Sequence, residues 1–403
     1  MVDSKFVPIP SMKERDRRWK RIRESMVIHG LDCLVVWGSD AMMGAWGEAN
    51  FRYISGLNTN GGTGFVIFPL EAEPTAIVWH PDMTVWWRKA HGWMDDIRGR
   101  KLASFIPPIT DRIHELHLEG CVLGLVGGGE MRQYDHERLL KELPSAQFVK
   151  ADGILSEIRM IKSPEEIKFI EKASQIVDRM WEAGVKSAKP GVKECVVYGD
   201  ILRESVATGG EHPIMLLWEA GPEPFRHAGA FATERPLAKG DMINVELHGR
   251  YGGYLAHGER PISLGKPKKE FRHIFDVMEE SFQSGVKRMV PGRTFKEVAD
   301  AFYAPITKSG LAVCELGIHG HGLESGEWPN MELGTPFHDP GGIVSYLPKP
   351  FEFKENMVLG IVVDLYDQGW KGGEPGLMLG DTVQITSSGS KVLCKTPLDI
   401  LLA

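Results

Sequence analysis

The sequence predicts an α/β domain over residues 1–157, followed by an α+β domain over residues 158–403. Three patterns support this division. In the first part, short runs of Val, Ile and Leu alternate with helical stretches. In the second part, pairs of helices alternate with antiparallel strands. Between the two lies a helix-start signal, Ser163-Pro164-Glu165-Glu166, which combines a capping box with proline at the first helical position.

The first domain is predicted to begin with a helix at Ser11. Its buried stripe consists of Trp19, Ile22 and Met26, and the arginines between residues 15 and 23 form its solvated face. Apolar runs then predict strands at residues 31–37, 64–68, 75–79 and 122–126. The glycines at 127–129 lack the GxGxxG spacing of a phosphate-binding loop, so they predict a plain turn.

The second domain is predicted to contain two pairs of helices, each followed by strands. The helices fall near residues 163–190, 194–206, 268–289 and 295–308. Strands are predicted at residues 240–246 and 250–260, which pair as a hairpin, and at residues 357–364 and 376–383. A glycine-rich loop that contains His319 and His321 is expected before the last two strands.

The bulk composition excludes several classes of protein. A net charge of −7, with its basic residues clustered only on the first helix, argues against nucleic acid as a partner. The five cysteines form no CxxC pair, which is typical of a reducing compartment. No apolar run reaches the roughly 20 residues of a membrane span, and the first residues lack the apolar core of a signal peptide. We therefore expect a cytoplasmic protein that does not contact membranes.

Acidic and imidazole side chains converge on the predicted hairpin. Glu246 lies on its first strand, His257 and Glu259 lie on its second strand, and His319 lies in the glycine-rich loop. Glu246 and His257 are expected to face each other across the hairpin, and His248 to lie on the opposite, solvated strand face. Such a group of side chains suits either proton transfer or metal binding. The residues alone leave both possibilities open.

Three segments resemble the pita-bread family that contains methionine aminopeptidase, aminopeptidase P, prolidase and creatinase. They are residues 159–166 at the domain junction, residues 240–260 of the hairpin, and Asn50 to Gly56, which look like the family's "NxxYxSG" segment. The resemblance covers nearly the whole chain. It implies a creatinase-like N-terminal α/β domain and a C-terminal pita-bread domain, the creatinase/aminopeptidase fold. It also implies a homodimer, in which residues 58–62 would help to close the partner's site.

The metal-ligand set departs from that family. Its peptidases hold two divalent ions with two aspartates, a histidine and two glutamates. The corresponding positions here are Glu246, His257, His319, Val362 and Gly380. Bridging carboxylates hold paired ions together, so a di-metal centre is not expected. We expect no cofactor, or one divalent metal ion held by Glu246, His257 and His319.

Creatinase is the family member that the sequence resembles at the site. Glu259-Arg260 matches its "ER" pair, and His227 lies near the position of its catalytic histidine. The two arginines that anchor creatine are replaced by Thr63 and Phe337, so creatine is not the expected substrate. The expected catalytic residues are His227, Glu259 and His319. The candidates for substrate binding are Glu246, His257, Glu327, Trp218, Trp328 and Arg226.

The leading hypothesis is a metal-independent hydrolase of a C–N bond in a small amide, amidine or cyclic substrate. His227 would deprotonate the attacking water, and Glu259 would hold and polarise the cationic group. A mononuclear metalloenzyme is one alternative, because two histidines and a carboxylate suit a single Fe, Zn or Mn ion. A lyase resembling the dimethylsulfoniopropionate lyases, an Xaa-Pro peptidase-like enzyme and a non-catalytic binding protein are the others.

Overall fold

The chain divides into two compact units between Arg159 and Met160, close to the predicted boundary at residue 157. The structure is a computed structural model. The described residues are 8–39, 47–58, 62–90, 93–101, 104–226, 229, 231–332, 335–336, 351–370 and 374–403.

The first unit contains a six-stranded mixed sheet with helices. Its helices are α1 (Met12–His29), α2 (Ala49–Ser55), α3 (Met83–Ala90), α4 (Ile106–Glu115), α5 (Gln133–Glu142) and α6 (Asp152–Met160). Its strands are β1 (Cys33–Ser39), β2 (Thr63–Pro69), β3 (Thr75–Val78), β4 (Asp96–Gly99), β5 (Val122–Val126) and β6 (Gln147–Lys150). The strand order is β4-β3-β2-β1-β5-β6. All four predicted strands are present, and the α/β class of this domain is confirmed.

Helix α1 begins where the sequence predicts. The Ser11 hydroxyl caps it by accepting a hydrogen bond from the Glu14 N–H, and Trp19, Ile22 and Met26 are buried as expected. The prediction that all the arginines of this helix are solvated was wrong for Arg18, which is buried. Its guanidinium donates to Glu14 at 2.8 Å and lies 4.3 Å from the Tyr53 ring, so its charge is compensated inside the unit.

The second unit is built on a twelve-stranded sheet. Its helices are α7 (Pro164–Ser187), α8 (Glu194–Ala207), α9 (Lys269–Arg288) and α10 (Phe295–Ser309). Its strands are β7 (Leu216–Gly221), β8 (Met242–Tyr251), β9 (Tyr254–Glu259), β10 (Ile262–Ser263), β11 (Ala312–His321), β12 (Ser325–Glu332), β13 (Thr335–Pro336), β14 (Val358–Tyr366), β15 (Gly376–Leu377), β16 (Gly380–Thr386), β17 (Gly389–Val392) and β18 (Leu401–Leu402). The main path is β13-β12-β11-β14-β16-β9-β8-β10-β18.

Helix α7 packs against β8 and β9, and its start is fixed by the predicted capping box. The Ser163 hydroxyl accepts from the Glu166 N–H at 3.1 Å, and the Glu166 carboxylate accepts from the Ser163 N–H at 2.9 Å. Gly249 allows close approach, because a Cβ there would lie 2.4 Å from the Ala173 carbonyl oxygen. In the part of the chain that is described, every helix is too short or too polar to span a bilayer.

Candidate active site

One face of the large sheet collects the polar residues. Side chains two positions apart on a strand point to the same face, and β11, β14, β16, β9 and β8 are consecutive neighbours. The register places Glu246 opposite Glu259, His248 opposite His257, Glu259 opposite Gly380, Val362 opposite Gly380 and His319 opposite Gly360. The glutamates and histidines of β8, β9 and β11 therefore form one group, which we call the Glu/His cluster: Glu246, His248, His257, Glu259, His319 and His321.

The cluster brings together four residues that the sequence singled out. Coordinating atoms of Glu246, His257 and Glu259 all lie within 4.8 Å of one another, and His257 Nε2 lies 3.2 Å from Glu259 Oε1. The His319 ring centroid is 5.8 Å from that of His257. The expected facing pair Glu246–His257 is close in space, although the residue directly opposite Glu246 is Glu259. The compact carboxylate–imidazole set thus includes Glu259 in the place expected for His319.

The expectation that His248 lies on a solvated strand face was wrong. His248 is fully buried, and its Nε2 lies 2.6 Å from Glu246 Oε1. The two-residue spacing from Glu246 placed it on the same face. Because β8 is buried along nearly its whole length, polarity did not reveal which of its faces carries the site.

His319 and His321 lie at the end of strand β11, and not in a loop as expected. The strand continues through this glycine-rich segment because it pairs with both β12 and β14. The rings of His319 and His321 are 4.8 Å apart, and the His321 ring is 5.3 Å from that of His257 and 6.2 Å from that of His248. The sequence analysis placed His319 in the site and did not include His321. His321 nevertheless lies close to the three other imidazoles of the cluster.

The two glutamates of the cluster sit in different electrostatic surroundings. Burial raises the pKa of Glu259 well above its ordinary value, and the nearby carboxyls of Asp364, Glu246 and Glu315 raise it further. Burial also acts to raise the pKa of Glu246, but the hydrogen bond with His248 opposes burial, and that pKa is held at about 2. One carboxyl is thus kept protonated beside another that is kept ionised.

Three of the four imidazoles in the cluster are held neutral. Burial lowers the pKa of His257 and His321 well below its ordinary value, and it lowers the pKa of His319 to about 4. A neutral imidazole has one N–H donor and one lone pair, so each ring offers an acceptor as well as a donor.

The two positions where bridging carboxylates were expected are occupied differently. Val362 is apolar and Gly380 has no side chain. A Cβ at Gly380 would lie 2.8 Å from both Glu259 Oε2 and His257 Nε2, so these groups already fill the space. A Cβ at Gly360 would lie 2.5 Å from His321 Nε2 and 2.7 Å from His319 Cε1. The glycines therefore make room for the cluster.

A pair of metal ions does not fit these residues. Paired ions need carboxylates that bridge them, and Val362 and Gly380 provide none. One ion is compatible with the donors of Glu246, His257 and Glu259, because carboxylate and imidazole are ordinary ligands of Zn, Fe and Mn.

Several buried polar atoms of the cluster have no hydrogen-bond partner among the described residues. They are Glu259 Oε2, His248 Nδ1, His257 Nδ1, His319 Nδ1 and His321 Nε2. A buried polar atom without a partner costs about 1–3 kcal/mol. Several such atoms on one face are typical of a site that binds a ligand.

Other candidate residues are engaged elsewhere. The Trp218 indole is buried and donates to Glu194 at 3.1 Å, and Trp328 packs against Phe351. Glu327 accepts from the buried Lys162 ammonium at 2.9 Å and from the Leu323 N–H at 2.8 Å. These contacts hold the turn after β11.

The remaining candidates lie at or beyond the limits of the described residues. Arg226 forms an ion pair with Glu374, and its guanidinium lies 4.5 Å from the Tyr366 ring. His227, the expected base, lies outside the described residues. The guanidinium of Arg260, the residue after Glu259, binds Asp381 at 2.6 Å.

Comparison with known proteins finds relatives of both domains. The profile described as "Metallopeptidase family M24" matches residues 168–387, and that of the "Creatinase/Prolidase N-terminal domain" matches residues 18–161. The chain is 28% identical over 356 residues to an Xaa-Pro dipeptidase of Pyrococcus furiosus, covering 87% of this chain and 92% of that one. It is 25% identical to an ectoine hydrolase of Halomonas elongata, covering 98% and 99%.

Solved structures show the same architecture. The prolidase of Pyrococcus horikoshii OT3 superimposes with a TM-score of 0.76 and 25% identity, covering 94% of this chain and 99% of that one. The predicted fold, an N-terminal α/β domain and a C-terminal pita-bread domain, is confirmed.

Proposed function

The chain belongs to metallopeptidase family M24, and we propose that it hydrolyses a C–N bond in a small amide, amidine or cyclic substrate without paired metal ions. The proposal depends on the two residues that stand where the family's bridging carboxylates are expected. Val362 and Gly380 cannot bridge two ions, and Glu259 and His257 fill the space beside Gly380. The predicted enzyme class was a hydrolase of non-peptide or peptide-like C–N bonds, and the relatives, an Xaa-Pro dipeptidase and an ectoine hydrolase, are hydrolases of peptide or peptide-like C–N bonds.

The cluster offers an acid and a base for this reaction. A water molecule would lose a proton to His248 Nδ1, whose ring is bonded through Nε2 to the ionised Glu246, and the water oxygen would bond to the substrate carbon. The C–N bond would break as protonated Glu259 gives its proton to the leaving nitrogen. Transfer of a proton from His248 to Glu259 through solvent would then restore the starting state. The earlier prediction that His227 is the base is tested separately by His227→Asn.

A catalytic role is favoured over that of a binding module that has lost its activity. A vestigial cluster would be expected to relax toward paired or apolar side chains, because unpaired buried polar groups are costly. Here five atoms of the cluster remain without partners among the described residues. Residues 362 and 380 offer no ligand atom, whereas residues 248 and 321 are histidines on the same face of the sheet.

A mononuclear metalloenzyme is the second candidate. It is favoured by one observation, the coordinating atoms of Glu246, His257 and Glu259 within 4.8 Å of one another. In that case these three residues, and not the expected set with His319, would hold the ion. Nothing in the described residues favours a lyase over a hydrolase.

Elemental analysis combined with a substrate screen tests both candidates. The purified protein would be assayed with and without chelator on small amides, amidines, lactams, guanidino acids, Xaa-Pro dipeptides and ectoine, the last two taken from its relatives. We expect less than one equivalent of metal and turnover that chelator does not change. One equivalent that is lost, with activity, in His257→Ala would establish the mononuclear enzyme. Two equivalents would overturn both.

We also propose that the protein is cytoplasmic, from its scattered cysteines, and that it is a homodimer, from the family resemblance. Residues 59–61 of the loop expected to reach the partner's site lie outside the described residues. A monomeric mass by light scattering would contradict the dimer.

A further inference from the structure

Thr382 links the cluster to the backbone of the sheet. Pairing of β9 with β16 extends over Gly380–Glu259 and Asp381–Gly258. At the next position, the Thr382 hydroxyl replaces the backbone: it accepts from the His257 N–H at 2.8 Å and donates to the His257 carbonyl at 3.1 Å. The same oxygen lies 3.3 Å from His321 Nδ1.

These contacts determine which nitrogen of His321 carries the proton. A hydroxyl has a single proton and two lone pairs. If the hydroxyl donates that proton to the His257 carbonyl, the contact with His321 must be an Nδ1–H that donates to Thr382. The Nε2 atom of His321 then carries a lone pair.

The reverse arrangement leaves more groups unsatisfied. If the hydroxyl donated to His321 Nδ1, the proton of the ring would be on Nε2, where no acceptor is present among the described residues. The His257 carbonyl would then keep only a weak contact with the Cys394 thiol at 3.9 Å. Two buried groups would lack partners in place of one, so the first arrangement is favoured.

We infer that Thr382 is a positioning residue that fixes His321 as the Nδ1–H tautomer and presents its Nε2 lone pair on the site face, as the acceptor for an electron-poor ligand group. Nε2 is buried and has no partner among the described residues, and it lies over Gly360, where a Cβ would come within 2.5 Å of it. The ligand group is either a substrate N–H or a cation. This role for Nε2 rests on the proposed function, whereas the tautomer does not depend on turnover.

Neighbouring groups support a neutral ring. His321 is fully buried and surrounded by the rings of His248, His257 and His319, where an added positive charge would be costly. A neutral ring must be one of two tautomers, and Thr382 is its one hydrogen-bond partner among the described residues.

Nitrogen NMR of the full chain labelled with ¹⁵N-histidine tests the tautomer. Long-range ¹H–¹⁵N spectra distinguish the two neutral forms, and His321→Gln assigns the signals. We expect the Nδ1–H pattern for His321 in the parent protein and in Thr382→Ser, and a changed pattern in Thr382→Val. An Nε2–H pattern in the parent protein would overturn the inference.

Two kinds of probe then identify the ligand group that binds the Nε2 lone pair of His321. Zn²⁺ tests the cation, and 2-pyrrolidinone against N-methyl-2-pyrrolidinone tests the N–H donor. A shift of the His321 Nε2 signal with Zn²⁺ alone supports a cation, and a shift with 2-pyrrolidinone alone supports an N–H group. No shift with any probe overturns the acceptor role while leaving the proposed hydrolysis untouched.

Discussion

Two buried polar clusters lie on opposite faces of the same pair of strands, β9 and β16. On one face, the Arg260 guanidinium binds Asp381 at 2.6 Å and donates to the carbonyls of Glu259 and Gly380 at 2.7 and 2.5 Å. On the other face, Glu259 Oε2 and His257 Nδ1 have no partners in the described part of the chain. Neighbouring residues thus differ in whether their buried polar atoms have hydrogen-bond partners. The satisfied face holds the strands together, and the unsatisfied face is arranged for a ligand.

The largest effect is expected on activity at the unsatisfied face. Glu259→Gln should lower kcat/KM on the substrate found by screening by about 10²–10⁴-fold, because an amide cannot protonate the leaving nitrogen. Its free energy of unfolding should be unchanged or higher, because the change removes an ionisable group whose charged form is disfavoured by the nearby carboxyls of Asp364 and Glu246. Steady-state kinetics and urea unfolding measure the two quantities. The exposed Glu355→Gln serves as control, and full activity in Glu259→Gln would break the comparison.

The next largest effect is expected on stability at the satisfied face. Arg260→Met should lower the free energy of unfolding by about 3–5 kcal/mol, because Asp381 would be left buried without its partner. Urea unfolding followed by circular dichroism measures the change. Lys296→Met, which removes an exposed partner of Asp300, should have no measurable effect. Equal stabilities of Arg260→Met and the parent would show that the two faces do not differ as described.

An intermediate effect is expected between the two faces, at Gly380. Gly380→Ala should cost about 1–3 kcal/mol of stability, because the added Cβ lies 2.8 Å from Glu259 Oε2 and from the Ile361 carbonyl oxygen. In exposed helix α8, Gly199→Ala meets no atom within 4 Å and should instead gain about 0.5–1 kcal/mol. Thermal unfolding of both variants decides the point, and a neutral Gly380→Ala would mean that the cluster does not need the glycine.

The smallest effect is expected away from both clusters. Ser163→Ala should cost about 1 kcal/mol, because it removes the hydroxyl that accepts from the Glu166 N–H at the start of α7. Ser163→Thr should retain most of that stability. Urea unfolding compares them, and a loss as large as that in Arg260→Met would show that ordinary helix caps matter as much as the satisfied face.

Strand alternation and helix capping made most of the fold predictable from sequence. The capping box at Ser163 and the apolar runs of the first unit are local signals, and the structure follows them. The same alternation placed Glu246, Glu259 and His257 on one face, because the hairpin between residues 251 and 254 fixes their register.

Other parts of the site depended on contacts that no local pattern contains. The Lys162–Glu327 ion pair joins residues 165 positions apart. The hydrogen-bond partner of His321 is Thr382, which lies 61 positions later on another strand. His248 was misplaced for a different reason: strand alternation puts it on the face of Glu246, two residues earlier, and the expectation of a solvated face overlooked that spacing.

Gly360 and Gly380 also constrain the routes by which such a sequence can change. A carboxylate placed at residue 380 would collide with Glu259 and His257 until those residues had themselves been replaced. Neighbouring substitutions of this kind do not add independently. A chain with a carboxylate at residue 380 is therefore more than one substitution away from this one.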